Sequence, residues 1–194
     1  MNTKTIASII VFSALTISLN PAISKFAIPT IYFGNANYTF MEIPIIAALL
    51  LFGPVCGVAV GLLGGASMII YFPRAYNVPL TMLAILCTEF GVYLGYKLVS
   101  RKVPKDKLLS SKRVVIYCTS LGILFRVAIM EVVHFLFGRY LIGYFIGTNL
   151  TDPLLFSLVP LWALFYGTQM LYTIPIGYYI ARISSRNLRV GNKL

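Results

Sequence analysis

Glu131 and His134 stand three residues apart in the apolar run RVAIMEVVHFLF, and Arg126 lies five residues before the glutamate. On a helix the first two share a face, with Arg126 roughly 140° away around it. Glu89 sits in a second apolar run, and Gln169 and Tyr172, again three apart, in a third. Ionisable groups inside a membrane span are costly, and they have a partner or a task. One reading is an internal ion-pair network, for instance Glu89 with Arg126, holding helices in register. The other is the floor and wall of a pocket for a polar organic molecule. A mixed set of cation, acids, histidine and amide does not suit a cation filter, which needs rings of carboxylates or carbonyls. Glu131 and His134 could also pass protons. That leaves open a stand-alone proton-coupled carrier using Glu89, Arg126, Glu131 and His134. Catalytic chemistry has little to build on: no metalloprotease, nucleophile-elbow or P-loop motif occurs, so neither enzyme activity nor a cofactor is expected. If ATP drives this protein, the ATPase is another chain.

The elements that must position these groups are membrane spans. Of 194 residues 59% are hydrophobic and 11% charged, with a mean hydropathy of +0.87. A soluble domain needs far more polar surface to cover its core. The net charge of +11 does not indicate nucleic acid, because the basic residues cluster at the ends of apolar segments. Cys56, Cys87 and Cys118 lie inside such segments without CxxC spacing or a ligand cluster, so no metal site is expected.

The expected fold is an all-α integral membrane bundle of six spans in one domain, at about 5–19, 40–52, 54–71, 79–100, 112–137 and 154–184. Lys4 precedes the first span and no cleavage site is obvious in the NPAIS after it, so it is kept as a helix and not a signal peptide. The second span is short for a crossing. It must extend into the preceding loop or end where protein surrounds it. With six spans, Lys4, Lys97, Arg101, Lys102, Lys105, Lys107, Lys112, Arg113, Arg182, Arg186, Arg189 and Lys193 share one side. Only Lys25, Arg74 and Arg139 fall opposite. This asymmetry puts both termini in the cytoplasm of a cell-membrane protein. The three external connections are rich in Tyr, Phe, Asn, Gly and Pro. That composition fits interfacial anchoring or loops folded over a pocket for a flat or amphipathic ligand. No inverted repeat of the secondary-transporter kind is present.

Between Glu42 and Gly65 the chain reads EIPIIAALLLFGPVCGVAVGLLGG, with glycine at 53, 57, 61 and 65. Such a ladder lets helices approach closely. Glu42-Ile43-Pro44, the apolar run after it, and Phe52-Gly53-Pro54 before a Gly/Ala-rich helix resemble the S component of energy-coupling factor (ECF) vitamin transporters. Length, six spans, basic cytoplasmic ends and a last helix closing in YYIARISSR extend the likeness. The resemblance implies a subunit that binds a vitamin or related micronutrient from outside, in a pocket of outer loops and the last three helices. It implies uptake driven by a transmembrane scaffold subunit and two cytoplasmic ATPases. The substrate-binding candidates are Glu42, Asn77, Glu89, Arg126, Glu131, His134, Trp162, Tyr166 and Gln169. The family docks its first helix on the scaffold through a small-x-x-x-small face. Here Ala14 and Ser18 have that spacing, with Ala7 on a similar face, although no strict Ala-x-x-x-Ala is present. Riboflavin is the first single substrate to consider, since many Tyr and Phe suit a planar ring.

Overall fold

The computed structural model describes residues 3–20, 28–29, 37–71, 77–104, 108–137 and 152–188. Most of the three external connections, and the cations Lys25, Arg74, Lys105, Lys107, Arg139, Arg189 and Lys193, lie outside the described residues. The helices are α1 (Thr3–Ser18), α2 (Glu42–Phe52), α3 (Pro54–Tyr71), α4 (Asn77–Ser100), α5 (Lys112–Phe137) and α6 (Asp152–Leu188). A two-residue antiparallel ladder, β1 (Ile28–Pro29) with β2 (Asn37–Tyr38), pairs Ile28 with Tyr38 and brings Tyr38 in ahead of α2.

Proline marks where helices begin. Pro44, Pro54, Pro79 and Pro153 all fall in a first turn, where a missing N–H costs no intrahelical bond. The turn between α2 and α3 is a single residue. Gly53 adopts φ 93°, a conformation that a side chain disfavours. Its N–H donates to the Leu49 carbonyl at 3.0 Å and its own carbonyl accepts from Gly57 N–H at 3.1 Å. One glycine thus closes one helix and opens the next.

α2 is the axis of the bundle. Its sequence is apolar on every side, so it has no face to give to lipid or water. Every residue from Met41 to Leu51 is buried. It packs against α1, α3, α4 and α6. Eleven residues span only about 16 Å, half a hydrocarbon core. Of the two ways to accommodate a short span, enclosure by protein is the one realised. The outer helices do the reverse. Ile10, Val11, Leu63, Phe90, Leu124 and Ile183 are among many large apolar side chains left exposed. A surface this apolar fits hydrocarbon, not water.

Lipid offers no hydrophobic drive between helices, so small residues and shape set their spacing. The ladder divides its work: a Cβ at Gly57 would stand 2.8 Å from Leu49 Cβ, one at Gly61 2.8 Å from Ile85 Cγ2, and one at Gly65 2.6 Å from Met82 Cγ. Gly57 thus admits α2, while Gly61 and Gly65 admit α4. The closest approach to a neighbour's backbone lies elsewhere, at Gly91 and Gly95 on α4. There a Cβ would meet α5 backbone: the Leu121 carbonyl at Gly91, and the Tyr117 carbonyl at 2.7 Å at Gly95. Backbone cannot move aside as a side chain can. Gly95→Leu is therefore expected to cost about 1–3 kcal/mol or more and to lower the thermal midpoint in detergent. Gly167, with no heavy atom of the described residues within 4 Å of its Cβ position, supplies the comparison. Gly167→Ala should be neutral or stabilising by up to about 1 kcal/mol. Equal destabilisation by both would contradict the packing described.

Candidate functional site

Four helices bring polar groups to one buried place. Glu42 opens α2, where the helix dipole favours a negative charge. Arg126 reaches it from the middle of α5, with Nη1 donating to Glu42 Oε2 at 2.6 Å. The same nitrogen lies 3.0 Å from Thr88 Oγ1 on α4 and 3.7 Å from Met170 Sδ on α6. Thr88 sends its own proton toward the Ala84 carbonyl at 3.0 Å, which leaves its lone pairs for the guanidinium. Gln169 Nε2 on α6 donates to the other carboxylate oxygen, Glu42 Oε1, at 3.1 Å, and lies 3.3 Å from Thr39 Oγ1. Both oxygens of Glu42 are thus bonded, each to a different helix. All four polar side chains are buried, at 4% exposure or less.

Aromatic rings extend the cluster. The Tyr166 ring lies under the Arg126 guanidinium, 4.9 Å from ring centroid to Cζ, a cation–π geometry. Its hydroxyl is 3.1 Å from His134 Nε2, while His134 Nδ1 is 2.7 Å from the Met130 carbonyl. A carbonyl only accepts, so Nδ1 carries the proton. In the neutral ring Nε2 then accepts from Tyr166. Trp162 also packs against this imidazole, with ring centroids 4.8 Å apart. On the α2 side Tyr38 stacks on Phe165 at 5.2 Å and its hydroxyl lies 2.8 Å from Thr168 Oγ1. Tyr172 donates to the Thr39 carbonyl at 2.9 Å.

Of the nine candidate binding residues, Glu42, Arg126, His134, Trp162, Tyr166 and Gln169 form this connected group. Glu131 shares α5 with it; both carboxylate oxygens are buried without a hydrogen-bond partner among the described residues. Glu89 stands apart and corrects the pairing considered above: the acid bonded to Arg126 is Glu42. Helix phase is the reason. Thr88 points from α4 toward α5 and α6, and Glu89 lies about 100° further round, toward α3, its Oε1 3.0 Å from the Cβ position of Gly61. It is 2% exposed and neither oxygen has a partner among the described residues. The Asn77 side chain lies outside the described residues. Ala7, Ala14 and Ser18 all lie on the exposed face of α1, beside Ile10. Thr39, Thr88, Met170 and Tyr38 join the cluster without any signal in the sequence, since short hydroxyls and Met are ordinary in membrane helices. Among the described residues no group of three His, Cys, Asp or Glu gathers as metal ligands would.

Removing one member of a buried pair leaves the other charged and unpaired, at about 3–5 kcal/mol. Arg126→Met should therefore lower the thermal midpoint in detergent strongly. Arg126→Met combined with Glu42→Gln should recover part of that loss, because Gln169 still has an amide to bond. A double variant as unstable as the single would show that the pair does not act as a unit.

No family profile matches this sequence, and no curated protein matches it either. Fold comparison does find a likeness: the S component of a bacterial ECF transporter, at a TM-score of 0.61 over 100% of both chains, with 16% sequence identity. The chain is a six-helix membrane bundle with the fold of that component.

Proposed function

We propose that this chain is the substrate-binding subunit of an ATP-driven importer of the ECF type, located in the cell membrane. It binds its ligand and does not transform it. The observation that carries the reading is the polar cluster of Glu42, Arg126, Gln169 and His134, walled by Tyr38, Trp162, Phe165 and Tyr166, inside a fold alike over its full length to an S component. The motif from Glu42 to Pro54 supports it independently. Roles within the cluster divide by hydrogen-bonding capacity. Glu42 and Gln169 are occupied with holding helices. Glu131 and Nε of Arg126, neither with a hydrogen-bond partner among the described residues, keep capacity for a ligand, and His134, Trp162 and Tyr166 offer ring faces. The ligand class is a vitamin or related micronutrient, a polar molecule with a planar ring, and riboflavin is the first to test.

The partners are a transmembrane scaffold subunit and two cytoplasmic ATPases. Ala7, Ala14 and Ser18 make the exposed small-residue stripe of α1, and close helix approach in lipid uses such stripes. Ala14→Trp is expected to abolish uptake in cells while leaving ligand affinity unchanged. Loss of both would place the stripe at the binding site instead.

Gently purified protein should retain its ligand, read by native mass spectrometry, with yellow absorbance in the riboflavin case. Trp162→Ala should weaken retention about tenfold, one lost stacking contact being worth roughly 0.5–1.5 kcal/mol beyond its buried area. Uptake in reconstituted vesicles should need ATP and the partner chains. Solute movement by this chain alone, abolished by collapsing the proton gradient, would instead assign the proton-coupled carrier, in which Glu89 and Glu131, without hydrogen-bond partners among the described residues, would carry protons.

A further inference from the structure

At the basic end of the bundle a groove of about 290 Å³ lies between the end of α4 and the start of α5. Leu98, Val99, Val103 and Tyr117 form its apolar walls, and Lys102 and Arg113 stand at its rim. We propose that this groove holds the headgroup phosphate of an anionic phospholipid, with an acyl chain running down past Leu98 and Tyr117. The proposal rests on the chain lying in a membrane, not on the transport reading.

Charge is the first argument. Both cations are exposed, and among the described residues no acid pairs with either. Of the five acids in the chain, Glu42, Glu89, Glu131 and Asp152 lie mid-helix or at the opposite end, and Asp106 is outside the described residues. The start of α5 makes the imbalance sharper. Its first turn carries Lys112 and Arg113 and no acid, against the preference of a helix N-terminus for negative charge. A phosphate seated beside Arg113 would offset both the side chains and the dipole.

Shape is the second. The groove is roughly the volume of ten waters, room for a phosphate and its glycerol. Its rim is held in place by the fold: Tyr178 donates toward the Leu109 carbonyl at 2.7 Å and the Ser111 carbonyl at 3.0 Å, and Leu108 is buried in the core. At the α4 end, Lys102 and Val103 N–H groups both donate to the Val99 carbonyl, at 2.9 and 3.1 Å. Leu98 and Tyr117, exposed by 38% and 47%, continue the groove onto the lipid-facing surface. A free anion would have no use for those walls; a lipid would. Basic pockets between spanning helices at the cytoplasmic face are a recurring way to bind such headgroups.

The test titrates phosphatidylglycerol or phosphatidylcholine into the full-length protein in detergent and counts bound lipids by native mass spectrometry. Wild type should retain phosphatidylglycerol preferentially. Lys102→Gln/Arg113→Gln should lose about twenty-fivefold in affinity, each cation contributing roughly fivefold. Arg182→Gln/Arg186→Gln removes equal charge from the same end outside the groove and should retain the lipid. Both variants change exposed residues, and an unchanged thermal midpoint verifies their folding. Equal loss in the two variants, equal retention of phosphatidylcholine, or displacement by excess glycerol phosphate would each overturn the proposal.

Discussion

A buried arginine in a membrane bundle has to be answered by the rest of the fold. Moving a guanidinium out of water costs several kcal/mol even after relaxation, and an attracting carboxylate repays that only with good geometry and further hydrogen bonds. Arg126 has both. Glu42 sits 2.6 Å away, Thr88 and Met170 lie on the same nitrogen, and the Tyr166 ring covers the guanidinium face. Meeting these needs draws α2, α4, α5 and α6 to one point, and Gln169 binds the remaining oxygen of Glu42. The position of α2 along the bundle follows, because its first turn must meet the middle of α5.

This constraint explains why so short a helix lies at the centre. With its N-terminus tied to Arg126 and its C-terminus turned by Gly53, α2 is surrounded by other helices and needs no polar face. Around it, glycines on α3 and α4 let neighbours close in, while the outer helices keep large apolar residues toward lipid. A polar tie at one level and close packing at others complement each other. Packing alone is weakly directional in lipid, and the ion pair supplies the register.

The two ends of the bundle are built for different surroundings. Near the start of α2, hydroxyls, an amide, an imidazole and aromatic rings converge on the Glu42–Arg126 pair. At the other end, cations dominate at the starts and ends of helices, as they do where a protein meets anionic headgroups. The groove beside Lys102 and Arg113 is the place where that charge coincides with an apolar cleft.

Hydropathy, charge asymmetry and proline placement made the helical membrane bundle legible in the chain itself, because lipid demands that apolar residues face outward and that backbone bonds close within each helix. The residue types of the site were legible for the same reason: a charge inside an apolar run stands out. Which charge meets which was not. Glu42 and Glu89 are alike as sequence, and only the angular phase of α2 and α4 about their axes sends Glu42 to Arg126 and leaves Glu89 facing α3. Thr39, Thr88 and Met170 were invisible because their types are common in any apolar helix. The glycine ladder at 53–65 announced close packing, yet the closest backbone approach fell at Gly91 and Gly95, a pair with the same spacing and no louder signal. Composition and periodicity determine what must be buried; only the tertiary arrangement decides which buried groups face one another, since that depends on helix rotations and heights set jointly by all six helices.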